Sequence, residues 1–297
     1  MTASNRFKTL LLREWMQHKR GWLVTLLAPP LVFLAILPFG TVEGMTKEMP
    51  PLPVALFIVL ATGMVMFLIS YVSAMFQMPG LARRDQQDRS IEFWLSLPGG
   101  HSPSIGATLL AHALLVPLAA EVIGVLFGGV IASALFIKQD GWAGWAGVPW
   151  GTVMSMAVPL LLRGLFGTLL MTLWLAPLVL IFMAASAWLK RWGVPAVALA
   201  LGAGGLVLDK VYGNPIVWRL LSAQWDGSMQ SFVAEPALLR QFDEQIRRHP
   251  DSFPAASWAW QDGLSALQNL ASPHLVGGLI VAGICFGLLV LKRSRSA

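Results

Sequence analysis

Six apolar runs, at 21–40, 52–77, 105–137, 164–189, 194–211 and 273–291, dominate the chain. Crossing a hydrocarbon core takes about 20 helical residues, and within that core only helices or closed barrels satisfy their own backbone polar groups. Charged residues make up 12% of the 297 positions, and the mean hydropathy is +0.66. Soluble domains carry about 25% charge, so a soluble globular fold would leave much of this apolar surface in water and is excluded. The pattern predicts an all-α polytopic membrane protein, one transmembrane domain over 1–297 with six membrane-spanning helices.

The single cysteine, Cys285, excludes a disulfide framework and a thiolate metal cluster. Thirteen Trp against two Tyr fits a chain that anchors many helix ends at lipid–water interfaces. The net charge of +6 comes from basic residues scattered between apolar runs, with no patch of interleaved aromatics. Membrane lipid is therefore an expected partner and nucleic acid is not.

Local signals mark several boundaries. Ser102-Pro103 and Ser272-Pro273 each place a hydroxyl before a proline, the pattern of an N-cap followed by the first helical position. Pro29, Pro30, Pro117 and Pro177 fall inside apolar runs and predict kinks, with neighbouring helices taking up the freed carbonyls. The third run is too long for one crossing, so part of it should project beyond the membrane. Gly202, Gly204 and Gly205 in the short fifth run suit close helix packing or a break.

Orientation follows from Lys and Arg. With the N-terminus inside, the inner segments hold Arg6, Lys8, Arg13, Lys19, Arg20, Arg83, Arg84, Arg89, Lys190, Arg191, Lys292, Arg293 and Arg295, more than half of the 21 basic residues. Only Glu14, Asp85, Asp88 and Glu92 oppose them there. This is the positive-inside pattern, and both termini are expected to be cytoplasmic.

Three pieces lie outside the runs. Residues 1–20 predict an interfacial helix, with Phe7, Leu11 and Trp15 on its apolar side and Arg6, Arg13, Gln17 and Arg20 opposite. The cytoplasmic loop 79–104 contains a short helix capped by Asp85 or Asp88 and stopped at Pro98. Its Ile91, Trp94, Leu95 and Pro98 recur at i, i+3, i+4, i+7, an apolar stripe that wants a partner. Residues 212–272 form an outer segment with candidate helices at 236–248 and 255–270, too long for a simple connector.

Catalytic signatures are missing. No Lys follows a Gly, which excludes a Walker A loop. The five His include no i, i+4 pair, and the Gly-x-Ser triplets at Gly100 and Gly263 lack the second glycine of a nucleophile elbow. Among residues inside the runs, Glu121 is the candidate pathway group: a carboxylate in a span is costly and faces the bundle interior or water. Arg163 and a hydroxyl are its candidate partners.

At the cytoplasmic loop the sequence resembles a known family. The string from Asp85 through Asp88, Arg89, Ile91, Glu92, Trp94 and Leu95 to Pro98 is similar to the loop between the second and third spans of ABC-2 type transporter permeases. The opening Leu12-Arg13-Glu14-Trp15-Met16-Gln17-His18 resembles that family's N-terminal connecting helix. Gly99-Gly100-His101 departs from the family's usual continuation, and the outer segment is longer than its usual pair of short helices.

The resemblance implies a permease of the bacterial inner membrane with no cofactor and no nucleotide site of its own. ATP and magnesium would belong to cytoplasmic ABC ATPase subunits, docked through Asp85, Asp88, Arg89, Ile91, Glu92, Trp94 and Leu95. A second permease subunit, identical or similar, would complete an exporter. The alternative expectation is a membrane scaffold or sensor that recruits a cytoplasmic protein without transport.

Overall fold

The computed structural model describes residues 3–42, 50–84, 100–235 and 253–295, with positions 237, 240 and 244 between the last two stretches. Among the described residues every regular element is a helix. Five helical stretches are long and apolar enough to cross a membrane: Asn5–Phe39, Pro51–Leu81, His101–Ala146, Trp150–Lys210 and Pro273–Arg295.

The first stretch is essentially α1 (Ala3–Ile36), which runs unbroken through Pro29 and Pro30. The expected turn between an interfacial helix and the first span is absent; the two are one helix. On the wheel's polar side Arg6, Gln17 and Arg20 are exposed and only Arg13 departs, while Phe7 and Leu11 of the apolar side are half-buried. Arg13 and Glu14 are buried, whereas Leu12, Trp15 and Met16 are exposed. Periodicity alone puts charge outward, but here distant helices supply hydrogen-bonding partners that allow charge inside.

α2 (Pro51–Leu81) is the central post. Next come α3 (His101–Leu109), a π-helical turn (Leu110–Leu115) and α4 (Val116–Ala146), forming one long rod. The helix begins at His101, so Ser102 lies inside it and Gly100 is the residue before it. A rod this long exceeds one membrane crossing, as expected, and it breaks at Gly141, whose φ is 68°. α2 and α4 meet backbone to backbone. A Cβ on Gly124 would lie 2.8 Å from the Cα of Gly63, and one on Gly128 would lie 2.7 Å from the Cα of Val59. This is small-residue packing at i, i+4, the way apolar helices gain contact without a hydrophobic driving force.

α5 (Trp150–Leu189) has 40 residues, about 60 Å of helix, and starts well before the run at 164–189. A short 3-10 turn at Lys190–Trp192 leads into α6 (Gly193–Lys210), close to the expected fifth run. Of the three glycines noted there, Gly205 packs on Val217 and Trp218, while Gly202 and Gly204 face open space. The outer segment supplies α7 (Ile216–Gln230), which sequence patterning did not reveal, and α8 (Ala255–Gln268), which it did. The candidate helix at 236–248 falls largely outside the described residues. α9 (Pro273–Arg295) closes the bundle and begins at the expected proline.

Two apolar clusters pin the ends of the bundle. Leu52, Val59, Phe136, Val153, Met156 and Phe253 pack at one end. Met78, Ile105, Met183, Ala187, Cys285 and Leu289 pack at the other. Pro117 has no N–H for the carbonyl of Ala113, four residues back; the Thr172 hydroxyl of α5 lies 3.2 Å from that oxygen and donates to it. A neighbouring helix thus takes up the freed group.

Candidate functional site: a buried Glu14 centre

Glu14 lies on α1 with a fully buried side chain. A carboxylate in such a place needs partners for both oxygens. Oε1 accepts from Arg13 Nη2 at 2.6 Å, Arg84 Nη2 at 3.0 Å and the Thr108 hydroxyl at 2.9 Å. Oε2 accepts from Arg84 Nη1 at 3.1 Å and also faces His18 Nδ1 at 3.7 Å and His112 Nε2 at 3.6 Å.

The helices deliver these groups by simple rules. His18 is one turn beyond Glu14 and shares its face. Its Nδ1 lies 3.1 Å from the Glu14 main-chain oxygen, which can only accept, so Nδ1 carries the proton and Nε2 keeps its lone pair. Arg84 Nη1 stands 3.3 Å from that Nε2. His112 sits in the π-helical turn, a geometry that inserts an extra residue and re-aims side chains, often at functional sites. The His18 and His112 rings meet edge-on with centroids 4.6 Å apart, and Trp22 packs against both.

This centre ties the chain on both sides of residues 85–99 to α1. Arg84 is the last described residue before them, and Thr108 lies two turns into the rod beyond them. Ser104 on the same rod accepts from Arg293 of α9 at 3.0 Å. The docking candidates Asp85, Asp88, Arg89, Ile91, Glu92, Trp94 and Leu95 all lie outside the described residues.

Glu121 is placed where a span carboxylate should be, buried on α4 and facing α5. The Thr168 hydroxyl donates to its Oε2 at 3.0 Å. Gly164 makes room for it, since a Cβ there would lie 2.0 Å from Oε1. Of the two candidate partners, the hydroxyl is the one present. Arg163 turns instead to Asp262 of α8, at 2.6 Å through Nη2 and 2.8 Å through Nε, and donates to the Ser231 carbonyl at 2.7 Å. Asp262 Oδ1 accepts the backbone N–H groups of Ala234 and Glu235. This second buried network ties α5 to the outer segment.

Sequence reasoning missed the Glu14 centre. The Glu14–His18 spacing was a usable signal, but Arg84 is 70 positions away and Thr108 is 94, and nothing local pairs them.

The helices and their buried charges define an all-α chain with several helices of membrane-spanning type. No protein-family model, curated protein or solved structure matches it.

Proposed function

We propose that the chain is the membrane-spanning permease subunit of an ATP-driven exporter of the ABC-2 type, six-spanning in a bacterial inner membrane with both termini cytoplasmic. It pairs with a second permease subunit, and ATP hydrolysis belongs to separate cytoplasmic subunits docked at 85–98. The observation that carries this reading is the Glu14 centre. A loop that only connects two spans needs no buried ionic anchor at its root. A loop that transmits force needs one, because a push on it must move helices and not merely bend the loop.

Here the stems are fastened through Glu14 to α1 and through Ser104–Arg293 to α9. Closure of the ATPase subunits would therefore move α1, α2, α3 and α9 together, a rigid-body switch of the kind that alternates access. Glu121 and the Arg163–Asp262 network stand further along, where helices must part or slide for a substrate to pass. The direct test is co-purification of the tagged chain with an ABC ATPase encoded beside it. A stable complex that hydrolyses ATP supports the reading. A chain that purifies without any ATPase and binds none when one is supplied opposes it and favours the scaffold.

A further inference from the structure

We propose that Glu14, His18 and His112 form a binding site for a divalent transition metal, zinc foremost, which competes with Arg84 for the same atoms. The donor set is two imidazoles and one carboxylate, and their ligand atoms all lie within 4.8 Å of one another. A tetrahedral zinc site has bonds near 2.0–2.2 Å, so its donors stand about 3.3 Å apart. Closing the set needs Arg84 to move aside and the His18 ring to shift, since Oε2 now faces its protonated Nδ1, 3.7 Å away, and not Nε2.

The two carboxylate oxygens divide the work. Oε1 holds Arg13, Thr108 and one Arg84 nitrogen. Oε2 holds the other Arg84 nitrogen and faces both imidazoles. When Arg84 is withdrawn, Oε2 meets only His18 and His112. His18 Nε2, whose lone pair Arg84 covers, is released at the same moment.

His112 points independently to a ligand. Its Nε2 is buried, makes no hydrogen bond and is aimed at the site from the π-helical turn. It faces Glu14 Oε2 at 3.6 Å, beyond hydrogen-bond length, and a metal ion between the two would satisfy both. His18 has the outer support typical of a ligand, its Nδ1–H held by a main-chain carbonyl. Its side chain is 20% exposed, which gives an ion a way in. The donors favour zinc, copper or nickel over calcium or magnesium, which take oxygen ligands.

Binding is separate from the permease reading, but its consequence rests on that reading. A metal on Oε2 evicts Arg84, unfastens one stem of the loop and weakens coupling without touching an ATP site.

The full-length chain in detergent is titrated with Zn²⁺ against a chromophoric chelator, and with Co²⁺ followed by its visible absorption. One equivalent binds, and the Co²⁺ spectrum shows the strong bands of a four-coordinate site with nitrogen ligands. His112→Gln weakens binding by more than about 100-fold, since losing only an outer-shell partner already costs 10- to 100-fold. Arg84→Gln tightens it by about tenfold or more, because no charge-assisted guanidinium contact must first be broken. Absence of binding in both the parent and Arg84→Gln overturns the site. So does binding that survives His18→Gln and His112→Gln in chains eluting as a single species. Unchanged affinity in Arg84→Gln overturns the competition. These readouts are independent of ATP hydrolysis, so the metal site and the exporter reading fail separately.

Discussion

Arg84 and Glu14, 70 positions apart, are joined by two hydrogen bonds of 3.0 and 3.1 Å, with the carboxylate fully buried. The guanidinium fork matches the carboxylate oxygen for oxygen, the geometry in which Arg cannot be replaced by Lys without loss. Because Arg84 lies three residues beyond the end of α2 and Glu14 belongs to α1, this pair ties the chain after α2 to α1.

Glu14→Gln keeps the shape and removes the charge, leaving Arg13 and Arg84 without their anion. Removing one partner from a buried ion pair costs about 3–5 kcal/mol. Thermal unfolding of the purified chain in detergent should show a large drop in midpoint, and Glu14→Asp should recover little, because the shorter side chain cannot reach Arg84 and Thr108 together. A midpoint within a degree of the parent for Glu14→Gln would mean that the centre does not hold the helices.

At the α2–α4 contact, Gly124→Ala and Gly128→Ala put a methyl group where backbone atoms already stand at 2.7–2.9 Å. Each should destabilise by about 1–3 kcal/mol, the range for overpacking. Gly129→Ala, with nothing within 4 Å, is the control and should be neutral or slightly stabilising. Equal effects at Gly128 and Gly129 would deny the close approach.

The Arg163–Asp262 pair should behave as a unit. Arg163→Met alone leaves a buried carboxylate, and Asp262→Asn alone leaves a buried guanidinium. The double variant should be less unstable than the sum of the two by about 1–3 kcal/mol, the coupling expected within one network. Strict additivity would place the two groups in separate environments.

Topology is tested by labelling. In a Cys285→Ala background, cysteine at position 252 should react with an impermeant thiol reagent added outside intact cells. Cysteine at position 96 should react only after the membrane is opened. The reverse pattern would turn the whole chain over in the membrane.

The long apolar helices were legible because burial in lipid demands an unbroken run that composition alone reveals. The run at 194–211 matches α6 almost residue for residue, and the candidate helix at 255–270 matches α8 to within two residues. The start of α5 at Trp150 was not, since Arg163 interrupts the apolar run although the backbone continues as helix. α7 was hidden because its polar Gln224 and Ser228 are buried against the bundle while Trp225 faces outward, the reverse of the usual pattern. The Glu14 centre was hidden for the same reason: its meaning lies in partners from three helices, and hydropathy sees only one charged turn.

The exporter reading stands or falls at Trp94. A docking helix delivers its binding energy through a few buried anchors, and under the proposed reading Asp88, Arg89 and Glu92 would form a rim that orients more than it binds. Trp94 carries the largest apolar face of the stripe formed with Ile91 and Leu95. The measurement is co-purification of Trp94→Ala with the partner ATPase, followed by ATP hydrolysis at fixed subunit concentrations. The variant should insert normally, yet lose association by about 2 kcal/mol or more, roughly 30-fold in affinity. Assembly and hydrolysis equal to the parent would contradict docking at this loop and leave the scaffold as the better description.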